Sequence, residues 1–246
     1  MKKFAVFDID GTLIRWQLYH VITDRLAKSG ALGEKAPRDI RDARMRWKRR
    51  ESKEGFHEYE KVLIQKYEAA LTKIKPEEFD ELVLSVIEEY KDQVYTYTRN
   101  LIETLRKKGY FLLAISGSHQ ELVGHMAQYY KFDDFIGSQY ERTSEGFSGK
   151  SYIPSFDKAS ALRKLVETHN LDYKQSYAVG DTSSDAPMLE MVENPIAFNP
   201  DTKLFEAAQK NGWKVVVERK NMIYQLEQQN GIYLLASTDT DSEGEQ

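Results

Sequence analysis

Cysteine is absent from the 246 residues of this chain. Disulfide scaffolds, zinc sites built on thiolates and cysteine nucleophiles are therefore excluded. A chain of this length buries a substantial apolar core without such cross-links. The length also fits one large domain, or a core that carries one sizeable insertion.

Basic excess and long apolar runs are missing too. The chain has 35 Lys and Arg against 39 Asp and Glu, and the resulting net charge of -4 argues against a general nucleic-acid-binding protein. No apolar run is long enough to cross a membrane, and the first acid, Asp8, comes too early for a signal peptide. We therefore expect a cytoplasmic protein with no nucleic-acid or membrane partner, and its oligomeric state stays open.

Short apolar runs are present, and each ends in small, acidic or hydroxyl residues. They are Phe4–Phe7 before Asp8, Phe111–Ile115 before Ser116, and Tyr177–Val179 before Gly180. Unbroken apolar runs are typical of strands buried on both faces, as in a parallel sheet. Helical patterns separate these runs, and Lys214–Glu218 reads as a later strand. The alternation predicts an α/β fold.

The domain organisation follows from where strands are missing. Residues 15–94 contain no convincing strand and many long charged side chains, so we expect a helical insertion over the end of the sheet. The α/β core is then formed by residues 1–14 and 95–236. A small hairpin is expected between Tyr140 and Tyr152. The polar, acidic residues 237–246 predict a disordered tail.

Asp8 and Asp10 follow the first predicted strand, and open α/β sheets bind ligands at the carboxyl ends of their strands. Side chains two residues apart on an extended chain point the same way, and Gly11 permits a sharp turn next. Crowded carboxylates, with Asp181 close by, repel strongly in a dry site. Mg²⁺ relieves this repulsion because it prefers oxygen ligands. A turn with solvated acids is the alternative interpretation.

Three further positions complete the candidate site. A hydroxyl at Ser116 can hold phosphate oxygens, although Ser also caps helices. Asp181 and Asp185 are four apart and share a helix face, which suggests a metal ligand and its supporting neighbour. Lys158 begins a predicted helix, where a cation opposes the helix dipole, and its ammonium group can neutralise a phosphoryl group. Lys150 is the rival candidate.

The insertion contains a basic stretch, residues 38–50. Arg41, Arg44 and Lys48 fall on one helical stripe, which either steers anionic substrates or is a solvated helix face. His119 and His125 show no metal-ligand spacing with a third partner, so we interpret both as structural or surface residues.

Together these motifs resemble those of the haloacid dehalogenase superfamily of phosphatases. The four motifs occur in the family's order: Asp8-Ile9-Asp10-Gly11-Thr12, Ser116, Lys158, and Gly180-Asp181-Thr182-Ser183-Ser184-Asp185. The resemblance extends from about Phe4 to Glu218. It implies a Rossmann-like, doubly wound parallel-sheet core. The insertion after the first motif is similar to the helical C1 cap of the phosphoserine phosphatase-like subfamily, called IB. The run Asn194–Pro200, followed by Asn211–Val215, is similar to hydrolases of that subfamily.

The resemblance also implies a reaction. Asp8 attacks phosphorus and becomes an aspartyl phosphate. Asp10 protonates the leaving oxygen and then takes a proton from the hydrolytic water. The implied substrate is a small soluble phosphorylated metabolite, and the implied cofactor is Mg²⁺.

Roles for the other site residues follow from the same resemblance. The metal ligands are the carboxylates of Asp8 and Asp181 and the backbone carbonyl of Asp10. Ser116, the Gly117 N–H and Lys158 hold the remaining phosphoryl oxygens, and Lys158 also counts as a catalytic residue. Asp185 orients this arrangement from behind.

Other functions are compatible with parts of this pattern. A phosphotransferase of the same superfamily or a non-catalytic phospho-ligand-binding protein stays possible, whereas the long insertion and the second acidic cluster argue against a signalling receiver domain. Phosphoserine is a doubtful substrate, because Gln17 lies where phosphoserine phosphatases carry a Glu for the serine amine. Arg15 and Trp16 either suit an anionic or planar leaving group or pack at the hinge.

Overall fold

The computed structural model describes residues 2–240. Its strands are β1 (Lys2–Phe7), β2 (Phe111–His119), β3 (Asp134–Arg142), β4 (Phe147–Tyr152), β5 (Leu171–Gly180), β6 (Asn194–Phe198), β7 (Lys214–Arg219), β8 (Met222–Gln229) and β9 (Ile232–Thr240). Its helices are α1 (Leu18–Lys28), α2 (Ala36–Lys48), α3 (Gly55–Leu71), α4 (Pro76–Tyr90), α5 (Thr96–Lys107), α6 (Gln120–Tyr129), α7 (Lys158–His169), α8 (Ala186–Leu189) and α9 (Thr202–Asn211), with a 3₁₀ turn at Pro154–Phe156.

A parallel sheet forms the centre of the first compact unit. Its strands lie in the order β3, β2, β1, β5, β6 and β7, and β8 and β9 extend it in antiparallel fashion. Ala5 of β1 is in register with Leu112 on one side and Tyr177 on the other. The side chains of Phe4–Phe7 are fully buried, which explains the unbroken apolar run. The predicted α/β fold with a parallel core is confirmed.

Helices connect the parallel strands and cover their apolar side chains. Leu162 and Leu165 of α7 and Leu204 of α9 belong to the same buried cluster as Phe4 and Val6 of β1. Because α6, α8 and α9 each join neighbouring parallel strands, every crossover returns the chain to the same end of the sheet. The loops that follow β1, β2, β5 and β6 therefore lie together at the carboxyl edge.

Residues 17–89 and 139–152 form a second compact unit. It contains α1 to α4 and a hairpin in which the end of β3 pairs with β4. Its own core includes Ile40 and Ala43 of α2 packed with Tyr59 and Leu63 of α3. Within it, α3 ends at Leu71 and α4 begins at Pro76.

The boundaries differ from the prediction in two places. The hairpin between Tyr140 and Tyr152 groups with the helical unit, whereas residues 15–16 and 90–94 group with the sheet. The prediction of disorder from Ser237 is wrong for residues 237–240, because they pair with β8 and continue β9. Residues 241–246 of the predicted tail lie outside the described residues. Over residues 2–240, no helix combines the length and apolar character needed to span a membrane.

Candidate active site

The predicted site residues lie at the carboxyl ends of three neighbouring strands. Asp8 follows β1, Ser116 lies near the end of β2, and Asp181 follows β5. The backbone N–H of Asp8 donates to the Val179 carbonyl of β5 at 2.9 Å. This hydrogen bond between neighbouring strands holds the backbone of Asp8, the candidate nucleophile. Strand order alone thus explains why residues distant in the chain meet here.

The Lys158 ammonium group lies among three acceptors. It donates to Asp8 Oδ1 at 2.6 Å, to Asp185 Oδ1 at 2.5 Å and to the Ile115 carbonyl at 3.3 Å. The side chain is 2% exposed, and three acceptors satisfy all three ammonium hydrogens. These contacts offset the unfavourable position of a cation at the start of α7.

Asp185 holds both Lys158 and the loop that follows β5. Its Oδ1 accepts from Lys158, and its Oδ2 accepts from the backbone N–H groups of Asp181 and Thr182, each at 3.0 Å. The side chain is fully buried. Gly180 makes this approach possible, because a Cβ at that position would lie 2.4 Å from the Asp185 Cβ. The loop can therefore close over Asp185 only with glycine there.

Asp10 and Ser116 form a second buried pair. Ser116 Oγ donates to Asp10 Oδ2 at 2.6 Å and accepts from the Ser118 N–H at 2.9 Å. Gly117, between the two serines, passes so close to Ser155 that a Cβ would lie 3.0 Å from its Oγ. The Ser118 hydroxyl is buried and has no hydrogen-bond partner within residues 2–240.

Asp181 completes the acidic group. Carboxylate oxygens of Asp8, Asp181 and Asp185 lie within 4.8 Å of one another. Thr12 Oγ1, fully buried in the turn after Asp10, donates to Asp181 Oδ1 at 3.2 Å. The first and fourth motifs are therefore joined directly by a hydrogen bond.

Burial and mutual repulsion change the proton affinities of these groups. Burial, followed by the charges of Asp185 and Asp10, raises the pKa of Asp8 from 3.8 to about 7, although Lys158 opposes the shift. Burial and the Asp8 carboxylate likewise hold the pKa of Asp181 well above its ordinary value. Burial acts to lower the pKa of Lys158, but the carboxylates of Asp185 and Asp8 outweigh it and raise the pKa. The site thus holds more negative charge than its lysine neutralises.

This donor set fits a hard divalent cation. Asp8 and Asp181 each keep one carboxylate oxygen that no donor among the described residues occupies, whereas both oxygens of Asp185 accept hydrogen bonds. All available ligand atoms are oxygens, which suits Mg²⁺. A cation between Asp8 and Asp181 would also remove the repulsion that raises their pKa values. The geometry is compatible with a metal site that Asp185 supports without binding the metal.

Other candidate residues from the sequence analysis are not part of this cluster. Lys150 is exposed in the second unit and pairs with Glu141 at 3.4 Å, so Lys158 is the lysine of the site. Arg15 pairs with Glu218 at 2.7 Å, which makes it a structural residue of the first unit.

Three more of these residues make structural contacts. Trp16 Nε1 donates to Gln93 at 2.6 Å, in line with hinge packing. Arg44 contacts Asp24 and Tyr59, so one member of the basic stripe is bound within its own unit. His119 is fully buried beside Glu121.

Comparison with known proteins identifies the family. The family model for haloacid dehalogenase-like hydrolases matches residues 5–190. The chain belongs to the haloacid dehalogenase-like hydrolase family. The predicted resemblance is therefore confirmed, and so is the prediction of an enzyme of the phosphatase type, because phosphatases are among its relatives.

The relatives of this haloacid dehalogenase-like hydrolase include two kinds of phosphatase. A histidinol-phosphatase of Neisseria meningitidis is 27% identical over 88% of this chain and 99% of its own length. The phosphoserine phosphatase SerB2 of Mycobacterium tuberculosis is 28% identical over 84% of this chain, which spans about half (46%) of that protein. A solved phosphoserine phosphatase with a phospho-aspartyl intermediate analogue has the same fold, with a TM-score of 0.62, 18% identity, and coverage of 89% of this chain and 94% of that one.

Sequence reasoning missed contacts that support the site. Thr12 was part of the first motif, but nothing in the sequence linked its hydroxyl to Asp181. Asp201 carries one sequence signal, because an Asp directly before an amphipathic segment is typical of a helix cap. Such a signal predicts the start of α9 but not the contact of Asp201 with the loop after β5.

Proposed function

We propose that this protein is a Mg²⁺-dependent phosphomonoester hydrolase that acts on a small phosphorylated metabolite through an aspartyl phosphate on Asp8. The observation that carries the proposal is the Lys158 ammonium 2.6 Å from Asp8 Oδ1, with Asp181 beside it. A lysine in this position neutralises an incoming phosphoryl group beside the carboxylate that attacks it.

Two residues carry out the bond and proton changes of the reaction. A carboxylate oxygen of Asp8 attacks phosphorus, and the bond from phosphorus to the ester oxygen breaks. Asp10, in its acid form, gives its proton to that leaving oxygen. Water then attacks the phosphorus of the aspartyl phosphate and gives a proton to Asp10. Inorganic phosphate leaves, and the Asp8 carboxylate is restored.

The remaining residues hold the phosphoryl group. Ser116 and the Gly117 N–H offer donors at the end of β2, and the Ser116 hydroxyl exchanges its bond to Asp10 for one to a phosphoryl oxygen. Asp8, Asp181 and the Asp10 carbonyl would hold Mg²⁺, which when bound neutralises charge on the phosphoryl oxygens. Asp185 keeps Lys158 and the loop after β5 in place, as its four hydrogen bonds indicate.

The substrate class is a phosphate ester of a small alcohol. Histidinol phosphate is the first compound to test, because the match to the histidinol-phosphatase relative covers 88% of this chain and 99% of that protein. Phosphoserine is the second, although Gln17 stands where an acid would be expected for its amine.

The test is phosphate release from histidinol phosphate, phosphoserine and p-nitrophenyl phosphate, with Mg²⁺ and with a chelator. We expect turnover only with Mg²⁺ and a loss of at least about 10³-fold in Asp8→Asn, since the nucleophile is removed. Asp172→Asn is the matched control, because Asp172 lies near the opposite end of the same β5 strand. Among residues 2–240, its carboxylate accepts a hydrogen bond from the Lys174 N–H alone. Turnover by Asp8→Asn, or equal turnover with the chelator, would contradict the proposal.

A further inference from the structure

Asp201 links the loop after β6 to the loop after β5. Its backbone N–H donates to the Asp181 carbonyl at 2.8 Å. Its Oδ2 accepts from the Ser183 N–H at 3.1 Å, and its Oδ1 accepts from the Leu204 N–H at 2.7 Å. One residue thus contacts the loop at two points, residues 181 and 183.

Helix capping explains only part of this geometry. Asp201 is the N-cap of α9, and the bond to the Leu204 N–H is the usual N-cap bond. That role needs one carboxylate oxygen. The second oxygen and the backbone N–H instead face residues 181 and 183, which belong to the loop after the neighbouring strand β5.

The contacts of Asp201 restrain residues 181–183, and the position of the Asp181 carboxylate depends on this segment. Asp181 is fixed by Thr12 at its side chain and by Asp185 at its backbone N–H. Its carbonyl has Asp201 as its donor. The peptide groups on both sides of the Asp181 Cα are therefore held, one by Asp185 and one by Asp201, and this limits rotation of the carboxylate away from Asp8.

We propose that Asp201 is a positioning residue that holds Asp181 in the orientation needed to bind the divalent cation. This inference rests on the proposed function, because it assigns Asp181 to the metal. Groups that hold metal ligands in place contribute to metal affinity although they do not touch the metal. Asp201 acts in this way through the backbone of residues 181 to 183.

The test uses two substitutions that keep the helix cap. In Asp201→Asn one oxygen still caps α9, but an amide nitrogen replaces the acceptor that faces the Ser183 N–H. In Asp201→Ser the hydroxyl caps α9 and is too short to reach both N–H groups. Asn, Ser and Asp are similar as N-caps, so both variants should melt close to the unmodified chain. Asp201→Ala loses the cap as well and should melt lower.

Mg²⁺ binding to the free protein, measured by titration calorimetry, is the deciding readout. We expect the Kd for Mg²⁺ to rise about 10-fold in Asp201→Asn and in Asp201→Ser, the low end of the range for groups behind a metal ligand. Amide exchange at residues 182 and 183 should accelerate in the same variants. Asp172→Asn should change neither quantity.

The possible failures are distinct. If Asp201→Asn and Asp201→Ser bind Mg²⁺ as the unmodified chain does, Asp201 is only a helix cap and the inference is overturned, while the proposed function stands. If the unmodified chain binds no Mg²⁺, the proposed function fails and the inference fails with it. An affinity loss in Asp201→Ala that Asp201→Ser fully restores would also assign Asp201 to capping alone.

Discussion

Asp185 and Gly180 illustrate how closely the loop after β5 is packed. The carboxylate of Asp185 lies under the backbone of residues 180–182, where it accepts hydrogen bonds from Asp181 and Thr182 while it contacts Lys158. The position of Lys158, and with it the contact to Asp8, depends on this buried carboxylate. A side chain at residue 180 would occupy the same space.

Gly180→Ala should therefore disturb both stability and turnover. The added Cβ would lie 2.4 Å from the Asp185 Cβ and 2.5 Å from its Cγ, so the loop must shift. We expect a loss of about 1–3 kcal/mol in the free energy of unfolding, the cost of forced overpacking, and a large loss of phosphatase activity. Urea denaturation and phosphate release measure the two effects.

Gly231→Ala is the control for that substitution. Gly231 has a positive φ of 80° but open space around its Cα, so alanine there strains the backbone far from Asp185. It should reduce stability and leave turnover unchanged. Normal turnover in Gly180→Ala would show that the close contact with Asp185 does not matter.

At the level of helices and strands, Glu218 links β7 to Arg15 and to the start of α5. Its carboxylate accepts from Arg15 at 2.7 Å and from the Thr96 and Tyr97 N–H groups at 3.1 and 2.9 Å. It therefore caps the start of α5, where a negative charge also favours the helix dipole. Arg15 and Thr96 flank the excursion of the chain into the second unit, so Glu218 fixes both connecting segments.

Glu218→Gln removes the charge and one of these acceptors. We expect the free energy of unfolding to fall by about 2 kcal/mol, the scale of charge-assisted hydrogen bonds that lose their acceptor. Glu227→Gln on β8 changes the same residue type at an exposed position and should stay within about 0.5 kcal/mol. Equal stability of the two variants in urea denaturation would contradict this role for Glu218.

His20 makes the packing between α1 and α3 sensitive to acid. Its ring packs against Tyr59, with ring centroids 5.0 Å apart. Burial, followed by the Arg44 charge, lowers the pKa of His20 from 6.5 to about 4. Because the folded state binds the proton less well than the unfolded state, the contribution of His20 is complete above pH 6.5 and is lost as the pH falls toward 4.

His20→Phe should remove that acid sensitivity. In the unmodified chain we expect the free energy of unfolding to drop by about 1 kcal/mol per pH unit between these two pKa values from this group. The phenyl ring keeps the aromatic contact and cannot be protonated, so the slope should be smaller. His57→Phe, at an exposed position, should keep the original slope. Urea denaturation at several pH values compares the three proteins, and identical slopes would refute the assignment.

The strands and helices around the motifs were predictable because short-range patterns define them. Apolar runs predict β1, β2 and β5. The end of α5 carries Lys107-Lys108-Gly109, a helix-stop pattern in which Gly109 has a φ of 77°. The hairpin of β8 and β9 was missed although its turn is Asn230-Gly231, a strong hairpin signal, and both residues have positive φ. The strands on either side mix apolar residues, such as Ile223 and the run Ile232–Ala236, with polar ones, so neither strand is an unbroken apolar run along its whole length.

Across the chain, the parallel sheet is what assembles the site. Asp8 and Lys158 are 150 residues apart in sequence, and Thr12 and Asp181 are 169 apart. The motif order predicted that such residues meet. It did not predict the contacts of Asp201 and Glu218, because these depend on how the loops after β5, β6 and β7 are placed in three dimensions. Local sequence carries no information about that placement.

The proposed reaction depends on Asp8 accepting a phosphoryl group. The most direct measurement is to quench the full chain during turnover of a phosphate monoester with Mg²⁺, reduce it with borohydride and map the peptides by mass spectrometry. We predict homoserine at residue 8, because homoserine is the reduction product of an aspartyl phosphate. The Asp8→Asn variant, which lacks the nucleophile, should give no homoserine at that position. Phosphate transferred to a different residue, or sustained turnover with residue 8 never modified, would contradict it.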